Sequence, residues 1–203
     1  MTEWGNIQRG RQLIVTDRYA SPRARGAHSG VDFGVGNKEP FYAMHAGKCL
    51  VAGRIAGMSD GGYGAMIVIQ VTVSGTKWDM LYAEFGDDTY QIKKGDDVKR
   101  GQLIGYGGSS AGSYSTGYHV HLSMIKESDG GYMNAHNTTY QLQVPATKYL
   151  GLPNIEGTFT LGKEYGAGGD DSDQSEDSHD SGENVTVTET LTNLNVFYQK
   201  GVL

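Results

Sequence analysis

The sequence predicts an all-β domain of packed antiparallel sheets, and three observations carry that expectation. Glycine occurs 31 times against 4 prolines in 203 residues, so turns are frequent and long helices disfavoured. The apolar residues sit in short runs broken by Gly and Asp. Those runs are rich in β-branched or alternating residues, the pattern of half-buried strands.

In chain order, strands are predicted near residues 12–16, 31–35, 49–55, 65–73, 77–85, 103–106 and 120–125, each bounded by turn residues. Only residues 146–150, just after Pro145, have a helical look. No internal repeat is present.

Composition divides the chain into three regions: a Gly-punctuated domain over 1–157, a Gly/Asp/Ser linker over 158–184 and a Thr/Val/Asn-rich tail over 185–203. Residues 169–184 hold seven acidic side chains and no Lys or Arg. Such a segment cannot bury enough apolar surface to offset its ordering entropy, so a disordered, solvated spacer is expected. Its Asp residues lack the spacing and closing Glu of a calcium loop. The tail alternates V-T-V-T before L-x-x-L-x-V-F, too little to fold alone but enough to dock, which marks it as an attachment segment.

The formal net charge of −6 is concentrated in the spacer. Setting its seven acids aside leaves 16 acidic residues against 17 basic ones. A nearly neutral body without a basic stripe argues against nucleic acid as partner. Cys49 is the sole cysteine, which excludes an internal disulfide and a thiolate-held structural zinc. Residues 1–17 carry Glu3, Arg9, Arg11 and Asp17 without a continuous apolar stretch, so no secretory signal is expected there. The longest apolar run, 66–73, is interrupted by Gln70 and is too short to span a bilayer. The expectation is a soluble protein with no membrane insertion.

Two short constellations carry chemistry. The first is HSGVD over residues 28–32, which puts an imidazole (His28) and a carboxylate (Asp32) on one Gly-containing stretch, a donor mix suited to zinc. The second is His119-Val-His121, where the two-residue period of a strand sends both imidazoles to one face while Val120 and Leu122 point away. Two same-face histidines on an apolar strand are costly to bury unless hydrogen-bonded or metal-bound. The Gly-rich run KGDDVKRGQLIG over 94–105 and the glycines at 107, 108 and 112 lead into that strand, where close backbone approach to a cleft is needed. Two histidines and one aspartate, leaving a fourth position open to water, would make a catalytic rather than a structural zinc site.

The order HSGVDFG, a tyrosine-containing strand, GDDVKRGQLIG and STGYHVH resembles the lysostaphin/LytM-type metalloendopeptidases, which cleave peptide bonds in bacterial cell walls. Ser21-Pro22-Arg23 ahead of His28 also fits, so the resemblance covers about residues 14–126. It implies one Zn2+ held by His28, Asp32 and His121, with His119 contacting the attacked carbonyl or the activated water. The family usually carries a further histidine in a Tyr-x-His-Leu stretch, whereas this chain has Tyr82-Ala83-Glu84-Phe85. Glu84 in that place is read either as a general base or as the mark of a binding or structural module that has lost turnover. Tyr114 and Tyr118 are candidates to line the substrate groove. His45 is assigned to structure or surface, His136 and His179 to solvent, and Trp78 to packing.

The expected partner is the peptide of peptidoglycan, with a zinc peptidase of non-wall peptides as a second rival. The acidic spacer, the apolar tail and the lack of a signal predict attachment to a larger assembly, such as the tail tip of a phage, or release to the bacterial wall.

Overall fold

A computed structural model describes residues 3–24, 26–57, 62–111, 117–135 and 144–166. Twelve strands account for its regular structure, and the helical pieces among the described residues are short 3-10 turns. The strands are β1 (Gln12–Asp17), β2 (Pro22–Arg23), β3 (Gly26–Ala27), β4 (Val31–Phe33), β5 (Pro40–Tyr42) and β6 (Gly47–Gly53). They continue with β7 (Met66–Val73), β8 (Thr76–Ala83), β9 (Asp97–Val98), β10 (Leu103–Tyr106), β11 (Val120–Lys126) and β12 (Gly157–Thr160). Eight form one antiparallel sheet in the order β12-β1-β4-β11-β8-β7-β6-β9, while β10 pairs β5 and β2 pairs β3.

The all-β expectation therefore holds, and each strand segment predicted from the sequence coincides with an observed strand to within a few residues. Near the centre of the sheet lies the hairpin β7–β8, in which Val73 pairs Thr76 across a two-residue connection. Ser74 and Gly75 both take positive φ, at 49° and 78°. That is the backbone of a type I′ turn, whose twist matches the flanking strands.

Strand alternation sorts the side chains into two layers. Val120, Leu122 and Met124 of β11 join Val31 and Phe33 of β4 in the main core. The small β5–β10 sheet covers that side, with Phe41 packed 6.3 Å from the Tyr82 ring and 4.9 Å from Phe85. The other face carries a smaller cluster including Val68, Leu81, Ile125 and Ala135. On this second face β11 also presents His121 and Ser123, because they alternate with the core residues.

One expectation needs correction. The domain does not end at 157: β12 adds to the sheet edge with Leu13 opposite Phe159, and Phe159 and Leu161 are buried. Arg100 then donates one guanidinium nitrogen to the carbonyls of both Trp4 and Glu164, tying the two ends of the body together. The body thus runs at least to Tyr165, whose carbonyl accepts from the Asn6 amide. The helical look of Ala146–Leu150 is met by a 3-10 turn over those residues, with Gly151 closing it at φ 69°. The remainder of the predicted linker and the tail, 167–203, lie outside the described residues, as do Tyr114, His136 and His179.

Candidate metal centre

Sheet register assembles the centre. On β11, His121 stands directly opposite Asp32 of β4 on one side and Ala83 of β8 on the other. One histidine is thereby flanked by a carboxylate and by the residue that precedes Glu84. His28 precedes β4, held by two backbone bonds in which the His28 amide donates to the Ser21 carbonyl and the Ala20 amide to the His28 carbonyl. Gly30 is required between them: a Cβ there would lie 2.5 Å from the Leu122 carbonyl and 2.7 Å from the His121 ring.

The donor atoms converge. Nε2 of His28 lies 3.0 Å from Nδ1 of His121 and 3.2 Å from Oδ1 of Asp32, and Nδ1 of His121 lies 3.0 Å from that same oxygen. All three residues are buried. The hydrogen bonds behind the rings determine which nitrogens carry protons. Nδ1 of His28 donates to the Arg18 carbonyl at 3.0 Å, which can only accept, so its Nε2 lone pair faces inward. Ser123 donates its hydroxyl to the Ser29 carbonyl at 3.2 Å and so accepts at 2.8 Å from Nε2 of His121, leaving the Nδ1 lone pair facing inward.

Two nitrogen lone pairs and a carboxylate oxygen aimed at one point repel one another unless a cation lies among them. The donor set fits a small ion, and mixed imidazole and carboxylate donors suit zinc, whose bonds to them are about 2.0–2.2 Å. Burial opposes the charge on Asp32. Without a cation, rings of His121 and His28 protonated toward it take that role, and their hydrogen bonds and fields hold its carboxyl far below the usual carboxylate range. These three residues form a group of His, Cys, Asp and Glu side chains close enough to hold a metal.

Beside the centre stands a second pair. Nε2 of His119 is 3.1 Å from Oε2 of Glu84, whose other oxygen is 3.9 Å from Nδ1 of His121. Nδ1 of His119 lies 3.1 Å from the Gly117 carbonyl, so both ring nitrogens face acceptors. Burial disfavours a charge on His119, but the bond to Glu84 and the charges of Asp32 and Glu84 outweigh it and raise its pKa. Glu84 has φ 65°, in the left-handed region unusual for a side-chain-bearing residue. Tyr82 faces the main core and Ala83 the opposite cluster, so an extended Glu84 would point into the core. The left-handed turn returns its carboxylate to the metal face, a local strain costing on the order of 1–3 kcal/mol.

Sequence reasoning placed His28, Asp32, His119, His121 and Glu84, and the structure brings all five together. Tyr118 is 55% exposed, next to His119 in the chain. His45 is buried against the edge of Trp4, in agreement with a structural role, and Trp78 is buried with Lys126 over its ring. Four participants were missed. Ser123 was discoverable, since it lies two residues beyond His121 on the same strand face. Asp17, in contrast, approaches His28 at 3.6 Å and Arg23 donates to Asp32, pairings that carry no sequence period. Tyr63, whose ring lies 5.5 Å from that of His121, is likewise brought in only by folding.

The family model of peptidase family M23 matches residues 26–135 of this chain. Lysostaphin of Staphylococcus staphylolyticus is 34% identical over 136 residues, which cover 66% of this chain and 25% of lysostaphin. The glycyl-glycine endopeptidase ALE-1 of Staphylococcus capitis is 32% identical over 126 residues, covering 62% of this chain and 30% of that protein. The chain thus matches only about a quarter to a third of the length of these relatives. A solved structure of lysostaphin from Staphylococcus simulans superposes with a TM-score of 0.52 at 25% identity, over 74% of this chain and 55% of that one.

Proposed function

The chain belongs to peptidase family M23, and from that membership we propose that it is a zinc-dependent endopeptidase hydrolysing peptide bonds in bacterial cell-wall peptidoglycan. The observation that carries the proposal is the convergence of His28, Asp32 and His121 donor atoms within 3.2 Å of one another. Bound zinc would supply Lewis-acid polarisation of the substrate carbonyl and of the attacking water.

The chain's own residues divide the remaining work. His28, Asp32 and His121 bind the ion. Glu84 takes a proton from the attacking water at a carboxylate oxygen as the new carbon–oxygen bond forms. His119, protonated and held by Gly117 through Nδ1, frees its Nε2–H from Glu84 as that carboxylate takes the proton, and turns it toward the negative charge gathering on the carbonyl oxygen. When the carbon–nitrogen bond breaks, the proton on Glu84 passes to the departing amine, leaving a new carboxyl and a new amino group. Tyr63 packs its ring 5.5 Å from that of His121, and Tyr114 and Tyr118 are assigned to the groove.

Purified cell walls treated with the protein should lose turbidity and release new amino groups, and a zinc chelator should stop both. Intact walls in the presence of zinc-loaded protein would overturn the assignment. The glycyl-glycine endopeptidase among the relatives makes a glycyl-glycine bond the first substrate to test. A module without turnover is the second reading, because Glu84 stands where the family usually has a histidine. The acidic run 169–184 and the apolar tail support a further proposal, that the tail binds a protein partner in a larger assembly such as a phage tail. Co-purification of tail-tip proteins with the full chain, lost when 185–203 are removed, tests it.

A further inference from the structure

We propose that Arg23 is a positioning residue that makes Asp32 present a single oxygen to the metal centre. Asp32 uses its two oxygens differently. Oδ1 faces His28 and His121, whereas Oδ2 accepts from Nη2 of Arg23 at 2.8 Å. The same guanidinium grips Asp17, with Nε donating to Oδ2 at 3.0 Å and Nη2 to that oxygen as well. Asp17 in turn lies 3.6 Å from Nδ1 of His28. One planar fork therefore joins Asp17 at the end of β1 to Asp32 in the middle of β4, touching the surroundings of two metal donors at once.

The fold is built to deliver this fork. Pro22 and Arg23 of β2 pair with Ala27 and Gly26 of β3 in a minimal hairpin, and the Ser21 carbonyl at its base accepts from the His28 amide at 2.9 Å. The hairpin is thus anchored to one metal donor while its Arg23 reaches the next. Arginine suits the task because its fork is planar and stays charged, whereas lysine offers a point charge. With Oδ2 occupied, Asp32 cannot swing both oxygens inward. A fourth position is then left for water and substrate instead of a second Asp32 oxygen. The guanidinium is 42% exposed, so its removal opens no cavity in the core.

This inference rests on the zinc reading of the site, and the test separates the two. Wild type, Arg23→Gln and Arg23→Lys are loaded with zinc or with cobalt, and three quantities are measured: zinc affinity by chelator competition, the visible absorption of the cobalt form, and thermal unfolding of the metal-free protein. In Arg23→Gln the zinc affinity should fall roughly 10–100-fold, the scale of losing an outer partner of a metal ligand. The cobalt absorption should weaken, because intensity drops when a four-coordinate ion gains a fifth donor. Metal-free stability should stay close to wild type, and Arg23→Lys should restore only part of the spectrum. Unchanged affinity and spectrum in Arg23→Gln would overturn the proposal, and so would a loss of metal-free stability that accounts for the whole effect. A wild type that takes up neither metal would overturn the zinc reading itself and the inference with it.

Discussion

Nε2 of His121 lies 2.8 Å from Oγ of Ser123, and that contact settles which of the two ring nitrogens faces Asp32. Ser123 is fully buried and spends its own proton on the Ser29 carbonyl, so its oxygen can only accept from the ring. A strand thereby supplies, at alternate positions, both a candidate metal ligand and the group that orients it.

Ser123→Ala should weaken zinc binding roughly 10–100-fold, the usual effect of removing the hydrogen-bond partner of a metal-bound histidine. It also leaves a buried Nε2–H without an acceptor, costing about 1–3 kcal/mol of stability. Chelator competition and denaturant unfolding measure the two effects. Wild-type zinc affinity in this variant would show that the tautomer is fixed some other way.

The wild-type protein should purify with about one zinc per chain, the three donors leaving one position of a tetrahedral site open. His121→Ala and Asp32→Ala should each lose stoichiometric zinc by elemental analysis. Retention of full-affinity zinc by both variants would refute the ligand assignment.

Truncation after Gly166 should leave folding stability unchanged, whereas truncation after Glu156 should destabilise the body severely. The second cut removes β12 and with it the buried Phe159 and Leu161. Phe159→Ala alone should cost about 3–5 kcal/mol. Denaturant unfolding of the three proteins checks this, and a stable 1–156 fragment would contradict the placement of β12 in the fold.

That boundary illustrates what the sequence could and could not disclose. The long central strands were legible because β7 and β8 bury β-branched and aromatic residues on both faces and close with Ser74-Gly75. The GTFT segment of β12 has one buried side chain, Phe159, and three exposed positions, too few to set a period. Short pieces such as β5 and β9 form because longer neighbours offer them an edge, and their two or three residues record nothing of it. The residues of the candidate metal centre were legible through spacing on a single strand and a single loop. Arg23 and Asp17 were not, since their meeting with Asp32 and His28 depends on where a hairpin lands.

His119 should titrate above the ordinary imidazole value in the metal-free protein, because Glu84 and Asp32 favour its charged form more than burial disfavours it. A group with a raised folded pKa adds stability that is fully present below its unfolded value, about 6.5, and is lost as pH rises through the folded value. Ring-proton NMR of His119 and unfolding measured across that window check the sign. A His119 that titrates below the ordinary value would show that burial wins.

The last prediction concerns Glu84, whose left-handed backbone places a carboxylate between His119 and the metal centre. If that carboxylate accepts the proton of the attacking water, Glu84→Gln keeps the shape and the hydrogen bond to His119 but removes the base. Wall hydrolysis should then fall roughly a hundredfold or more, the usual scale of general-base contributions. Zinc content should not change, because His28, Asp32 and His121 meet without Glu84. The pKa of His119 should fall in the same variant, since a neutral amide no longer favours the imidazolium. Glu84→His places an imidazole where the family usually has one, and the two readings of the chain part at that substitution. An active wild type that loses turnover in Glu84→Gln establishes the carboxylate as base. An inactive wild type that gains turnover in Glu84→His identifies a domain that keeps the metal centre and has given up catalysis, while an active wild type indifferent to Glu84→Gln removes the carboxylate from the mechanism.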